Sequence, residues 1–428
     1  MIPVQTSSSR EKDEQTNRSR SHTPSNFSLS SKTVTNIISK IKKIQPLTNS
    51  EPPPVLYTLY TKSAKQRFSQ PPFSHDKTMK SGLLSRSFRY ASDASKKQPW
   101  TSPLESLHIA AGGKLIDFHG FVLPVSYENQ GLIESSQHCR KKASLFDVSH
   151  MLQTRISGSN ACKLIHDLTV ADAKALEANS GTLTLFPMES GGILDDLIVN
   201  KLDDDDSWYV VSNAARQDVD LPHMCKHAAK IKNCKIEVLT NPLVALQGPL
   251  SEQILQKLVP VDLSQLKFMQ GVTTTLDNST VRITRCGYTG EDGFEISFEN
   301  GTGVEKLLKS SEELKWAGLG ERDILRLEGG MCLYGNDINE HTTPYSARLL
   351  WTVAKSRRKA NDFLGAEVLN EEVSNKVPNS GRFRVGIAKS VKKGRAIREG
   401  MDLYRLSRIK KSDCRFFFIF QVHLHLYL

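Results

Sequence analysis

The sequence predicts an α+β fold, and three observations carry that expectation. Hairpin patterns recur through the middle of the chain, and helical stretches separate them without a regular strand–helix–strand period. No Gly-x-Gly-x-x-Gly element occurs, which argues against a nicotinamide or flavin domain built on a doubly wound sheet. No internal repeat is visible in the residue pattern.

A chain of 428 residues is long enough for two or three domains. Its formal charge of +11 is unevenly spread. Residues 1–100 carry a net +11 and residues 382–428 a net +9, which leaves residues 101–381 at −9. An acidic body without a basic stripe and interleaved aromatics argues against nucleic acid as a partner. Seven cysteines occur, at 139, 162, 225, 234, 286, 332 and 414, none at metal-ligand spacing. Free thiols in a reducing compartment and no metal site are the expectation. No run reaches the roughly 18 apolar residues of a membrane span, so no membrane association is expected.

Taken in order, residues 1–78 are rich in Ser, Thr, Pro and Lys with little periodicity and read as a disordered or non-native extension. Met79 opens a basic, Ser-rich, acid-poor stretch with Leu83, Leu84 and Phe88 at helical spacing. Residues 79–101 therefore read as a mitochondrial transit peptide, with a solvated basic linker as the competing reading. The folded body starts near Ser102. Glu134–Lys142, Gly158–Leu168 and Arg216–Lys232 are expected as helices, and Val238–Leu246, Val281–Arg285 and Phe294–Phe298 as strands.

Gly191–Val199 is the most informative of these segments. It reads as a strand apolar on both faces, yet Asp195 and Asp196 sit at its centre on opposite faces. Whichever face is buried carries a carboxylate, at a cost of several kcal/mol unless a ligand or hydrogen bonds compensate. Asp203–Asp206 then forms a loop into a second strand, Trp208–Asn213. Pairing Leu202 with Ser207 places Asn213 opposite Asp196 on one face, a site for a flat, polar, donor-rich ligand. The competing reading is a bulge with solvated carboxylates.

Ser149 and His150 invite a nucleophile reading, but neighbours on a strand point to opposite faces and do not form a Ser–His pair. Arg285–Glu295 reads as strand, glycine-punctuated turn and strand, with Glu295 set between apolar residues as Asp196 is. Arg322 opens an apolar helical stretch through Ile324, Leu325, Leu327 and Met331; a solvated helix end is the alternative.

Seven motifs in order carry a family resemblance. LFDVSHM (145–151), GGILDDLIV (191–199), YVVSNA (209–214), ALQGP (245–249), RCGYTGEDGFEIS (285–297), ERDILRLEGGMCLYGNDI (321–338) and EHTTP (340–344) resemble the glycine cleavage system T-protein, or aminomethyltransferase, family. The resemblance runs from about Ser102 to about Tyr404. It implies a three-domain, cloverleaf-like fold around tetrahydrofolate, with a core over 102–345 and a C-terminal β-barrel beginning at 346–404. It also implies a mitochondrial matrix enzyme. That enzyme takes the aminomethyl group from the lipoyl arm of H-protein, releases ammonia and passes the one-carbon unit to tetrahydrofolate. Matched by motif, Asp196 is the catalytic carboxylate, and Asn213, Glu295 and Arg322 are the folate-binding residues.

The chain departs from the family at four places. Gly120-Phe121 replaces an aromatic-Gly-Trp motif, Ser346 stands where the family has Glu, and Arg348 stands where a small residue is usual. From Arg405 to Leu428 the resemblance ends in an apolar tail, which leaves the barrel incomplete. Two relatives by resemblance remain as alternatives to the transferase. A folate-dependent iron–sulfur assembly accessory protein is disfavoured because Glu291-Asp292 replaces that group's Gln-Glu. A dimethylglycine or sarcosine dehydrogenase half is disfavoured because no flavin domain precedes it. An inactive truncated isoform is the remaining alternative.

Overall fold

Two sheets built on one plan dominate the molecule. In this computed structural model residues 99–203 and 206–386 are described; the expected extension, most of the transit peptide and the atypical tail lie outside them. The first sheet to complete in sequence is small: β1 (Trp100–Thr101), β2 (Gly113–Phe118) and β3 (Phe121–Tyr127), in the order β1-β3-β2.

β4 (Ala143–Asp147) belongs to a six-stranded sheet whose other members come much later. A five-stranded antiparallel sheet is made in between. It comprises β5 (Leu152–Ser157), β6 (Gly181–Pro187), β7 (Ile193–Lys201), β8 (Ser207–Ser212) and β9 (Lys235–Leu239), in the order β6-β7-β8-β5-β9. The six-stranded sheet is then completed by β10 (Leu243–Gln247), β11 (Gly271–Leu276), β12 (Ser279–Thr284), β13 (Gly293–Phe298) and β14 (Leu314–Trp316). Its order is β11-β12-β13-β10-β4-β14, and β14 runs parallel to β4.

The two larger sheets repeat each other, contrary to the expectation of no repeat. Each has one strand, a helix, a 3-10 turn, three strands, a helix and a last strand, and the strand orders coincide once β4 is set aside. The turns match in detail. Asp172 caps one 3-10 turn by accepting from Ala175 N, and Asp262 caps the other by accepting from Ser264 N. Asn179 and Met269 follow at the same spacing, both left-handed at φ +59° and +65°. Gly181 N donates to Met269 O at 2.8 Å and Gly271 N donates to Asn179 O at 2.9 Å, so the two copies grip each other reciprocally. Few residues are shared, among them Asp172 with Asp262, Gly181 with Gly271 and the core leucines Leu168 with Leu258 and Leu176 with Leu266, too few for a repeat to stand out in the sequence.

Core packing follows the sheets. Trp208, Leu197, Val199 and Ile156 pack with Leu164, Ile165 and Met224 from the helices Ala161–Leu168 and Gln217–Ala228. Leu145, Val244, Ile296 and Phe298 pack with Ile254, Leu255, Val304 and Leu307 in the second copy. A third cluster joins the sheets, with Phe146, Leu243 and Ala245 from one against Tyr209 and Val211 from the other. Each such side chain contributes roughly 1.5–3 kcal/mol when fully buried.

The expected strand Val238–Leu246 is instead two strands in different sheets, separated by Thr240-Asn241-Pro242. Pro242 cannot donate to a ladder, and the chain changes sheets there. Gln153 then bridges the sheets: its amide nitrogen donates to Asn241 O at 2.8 Å, and its oxygen accepts from Tyr209 OH and Ser297 Oγ, each at 2.8 Å. Within residues 346–386 the ordered elements are a 3-10 turn (Leu350–Thr352) and two helices, Lys355–Ala360 and Ala366–Asn375. Residues 387–404 lie outside the described residues. Among the described residues no helix is long and apolar enough to cross a membrane.

Candidate functional site

The hairpin of β7 and β8 has the register expected from its loop: Ile198 faces Val211 and Asn200 faces Tyr209. Asn213, just beyond β8, therefore falls opposite Asp196. Its side-chain amide donates to Asp196 Oδ1 at 2.9 Å, to Asp196 O at 3.1 Å and to Asp195 Oδ1 at 2.9 Å. One Asn holds both acids, which excludes the solvated bulge. Asp195 is the inward member and has no exposure; Asp196 faces the half-buried side of the sheet. Burial, and then the neighbouring Asp195, push the Asp196 carboxyl up to about 7, against the pull of the Asn213 amide. It therefore exchanges a proton readily near neutral pH.

The turn before β7 is shaped by glycine. Gly191 adopts φ +78°, and a Cβ on Gly192 would come within 1.8 Å of Glu340 O, so only glycine lets the segment around Glu340 pack there.

Glu295 lies on β13, opposite Ala245 and Thr284. Burial raises its pKa, and the charge of Arg322 opposes the rise. Arg322 sits in the first turns of the helix Leu319–Glu328, with its guanidinium 4.7 Å from the centre of the Tyr288 ring. Its Nη1 is buried and makes no hydrogen bond. Glu295 and Arg322 attract each other without forming a contact ion pair, so both keep hydrogen-bonding capacity for a ligand.

Burial raises the pKa of Tyr288, against the charges of Arg326 and Arg322 and together with that of Asp196, which places its hydroxyl within electrostatic reach of both Arg322 and Asp196. That hydroxyl donates to Cys332 O. Sequence reasoning passed over Tyr288; its position inside the glycine-punctuated turn was the available signal. The turn needs one glycine for its backbone angle and two for close approach. Gly290 has φ +76°, while a Cβ on Gly287 would lie 1.9 Å from Gln247 Oε1 and one on Gly293 2.2 Å from Leu246 O.

Arg140 clamps this turn to the Arg322 helix. It donates to Thr289 O at 2.6 Å and Glu291 Oε1 at 2.9 Å on one side, and to Glu328 Oε2 at 2.8 Å on the other. Gln247 adds an amide bond to Cys286 O at 3.0 Å and accepts from Thr289 Oγ1 at 2.7 Å.

Ser149 and His150 occupy a turn after β4 rather than a strand. Ser149 Oγ donates to Asp147 Oδ1 at 2.6 Å, and Asp147 also meets His108 Nε2 at 2.8 Å, a buried network that ties the helix Glu105–Ala110 to β4 of the six-stranded sheet. His150 is pushed down to about 4 by burial, against Asp147 and reinforced by Arg322, so its ring is neutral near pH 7.

The departures from the family pattern are accommodated locally. Ser346 Oγ closes a turn with Thr343 N at 3.0 Å and Thr343 O at 2.9 Å. Arg348 is left-handed at φ +62° and lies 3.7 Å from the Phe383 ring centre. Phe121 packs edge-on with Trp100 at 5.6 Å. Among the described residues no cluster of three or more His, Cys, Asp or Glu is placed to hold a metal.

The site residues expected from the sequence thus fall on two joined α+β sheets, Asp196 with Asn213 on the five-stranded sheet and Glu295 on the six-stranded sheet with Arg322 from the helix after it. The family described as GCVT N-terminal domain matches residues 104–357. The chain is 47% identical over 293 residues to the mitochondrial aminomethyltransferase of Homo sapiens, covering 67% of this chain and 72% of that protein. It is 42% identical over 280 residues to the mitochondrial aminomethyltransferase of Pisum sativum, covering 63% and 68%. Among solved structures, the glycine cleavage system aminomethyltransferase T from Bartonella henselae is similar, with TM-score 0.60 and 37% identity over 65% of this chain and 75% of that one. The chain belongs to the glycine cleavage T-protein family of aminomethyltransferases.

Proposed function

We propose that the chain is the aminomethyltransferase of a glycine cleavage system. It accepts the aminomethyl group carried on the dihydrolipoyl arm of an H-protein and passes the one-carbon unit to tetrahydrofolate. The carbon–nitrogen bond to the departing ammonia breaks, the thiol of the arm is returned, and the folate amines gain the new bonds to carbon. The observation that carries this reading is the Asp196 carboxyl, held by Asn213 and pushed up to about 7.

Asp196 orients the folate amines, takes up the proton that leaves them and stabilises positive charge at the reacting carbon. Asn213 offers its Oδ1 as an acceptor to the pterin edge, its amide nitrogen being held by the two acids. The free Nη1 of Arg322 and the carboxyl of Glu295 suit a ligand that presents both acceptors and donors. Enclosing both reactants supplies much of the rate. The mitochondrial names of the relatives support the same compartment here, and the chemistry fits the matrix.

The test is a turnover assay with aminomethylated H-protein and tetrahydrofolate, scoring ammonia and methylene-tetrahydrofolate in equal amounts. Turnover by the full chain that is lost in Asp196→Ala supports the assignment. Absence of turnover by the parent chain would establish the inactive isoform instead.

A further inference from the structure

Beneath Asp196 lies a second acid pair that the transfer chemistry leaves unused. Asp195 has no exposure on the inner face of β7, and Asp220, equally buried, meets its carboxyl from the helix Gln217–Ala228. Neither oxygen of Asp220 has a well-formed hydrogen bond, and the buried Ser212 hydroxyl is a donor beside it that lowers its pKa. Asp195 accepts two, and both come from Asn213: the backbone N at 3.2 Å and the side-chain amide at 2.9 Å.

The surroundings do not neutralise two charges. Asp196 adds a like charge from the same strand, and the Tyr334 hydroxyl, from the segment after the Arg322 helix, lies within electrostatic reach of both Asp195 and Asp220. Arg216 is the nearby cation, but its Nη2 is engaged by Leu194 O at 3.0 Å and Glu340 Oε1 at 2.9 Å, while its guanidinium covers the Tyr334 ring at 4.8 Å. Two carboxylates in contact and out of water repel strongly, and a single proton between them converts repulsion into a hydrogen bond. That proton also supplies a donor between the two carboxyls.

We infer that Asp195 and Asp220 share one proton and act together as the positioning pair that fixes the Asn213 amide and, through it, Asp196. Asp195 grips Asn213 at two atoms, and the same amide nitrogen reaches Asp196 Oδ1. Asp220 sets the position and charge of Asp195 without reaching the ligand side of the sheet. The consequence for turnover rests on the folate reading, whereas the shared proton belongs to the free protein.

Two measurements on the full chain separate these. Carbon-13 NMR of aspartate-labelled, ligand-free protein at pH 8 should show one protonated carboxyl. It should vanish in Asp195→Asn and in Asp220→Asn but persist in Asp196→Asn. No protonated signal, or one that survives Asp220→Asn, overturns the inference whether or not folate binds. The second measurement is tetrahydrofolate titration at pH 7, with folding checked by circular dichroism. Asp220→Asn, whose amide restores a donor to Asp195, should bind within about three-fold of the parent, and Asp220→Leu about ten-fold more weakly. Equal binding by a folded Asp220→Leu variant overturns the positioning role. Failure of the parent itself to bind tetrahydrofolate would remove the folate reading and leave the NMR result to decide the proton.

Discussion

Replacing Asp196 by Asn removes a charge that the folded chain holds at a disadvantage. Its carboxyl moves from 3.8 in the ordinary state to about 7 in the fold, chiefly through burial. Roughly 3 pKa units at about 1.4 kcal/mol each set an upper bound of about 4 kcal/mol. Asp196 keeps part of its exposure, and halving the bound for solvent screening leaves about 2 kcal/mol. The sign follows from proton linkage. Below pH 4 both states hold the proton and no penalty exists. Between pH 4 and 7 the folded chain keeps a proton that the unfolded chain loses, so stability falls as pH rises; above 7 the penalty is complete. Asp196→Asn should match the parent in stability near pH 4 and exceed it by about 2 kcal/mol at pH 8, while turnover is lost. Urea unfolding at pH 4.5, 6 and 8 measures it, provided the slopes agree. A stability difference that does not change with pH, or a variant weaker than the parent at pH 8, would refute the reasoning.

Three further outcomes can be checked. Asn213→Ala should weaken tetrahydrofolate binding by roughly 1–3 kcal/mol, about ten- to a hundred-fold by calorimetry, because it removes the amide that bonds both acids and faces the ligand. Gly287→Ala forces Gln247 away from a contact of 1.9 Å; denaturant unfolding should show a loss of about 1–3 kcal/mol, together with weaker folate binding. Arg140→Met cuts the clamp between the Tyr288 turn and the Arg322 helix. Hydrogen exchange at residues 286–293 should speed up, with a larger change in KM for folate than in kcat.

Much of the Asp196 hairpin was legible because its information is local. A short acidic loop, two β-rich runs and side-chain alternation fixed the register, and the structure has Ile198 across from Val211 as expected. The glycines of the 286–293 turn were legible for the same reason, since each answers to the backbone a few residues away. Asp220 was not legible. On a helix with Asp218 one turn-fraction earlier, nothing in the pattern marks it as the inward acid, and only tertiary packing sets it against Asp195. Arg140 escaped notice because its partners lie far along the chain. Sequence alternation also carried the strand Val238–Leu246 straight through Pro242, because apolar character continues where the chain passes from one sheet to the next.

The placement of β4 constrains the order in which the molecule can assemble during synthesis. The five-stranded sheet draws all its strands from residues 152–239, a contiguous stretch that can close once it has left the ribosome. β4 is made before that stretch, yet its neighbours β10 and β14 come after it. Its apolar side chains, Leu145 and Phe146 among them, must wait unpaired while the intervening sheet is translated. Distant pairings of this kind form slowly and leave exposed strand surface in the interval. A nascent chain exposed as far as β9 but not yet β10 would thus hold two finished sheets and one orphan strand, the species on which a chaperone would act.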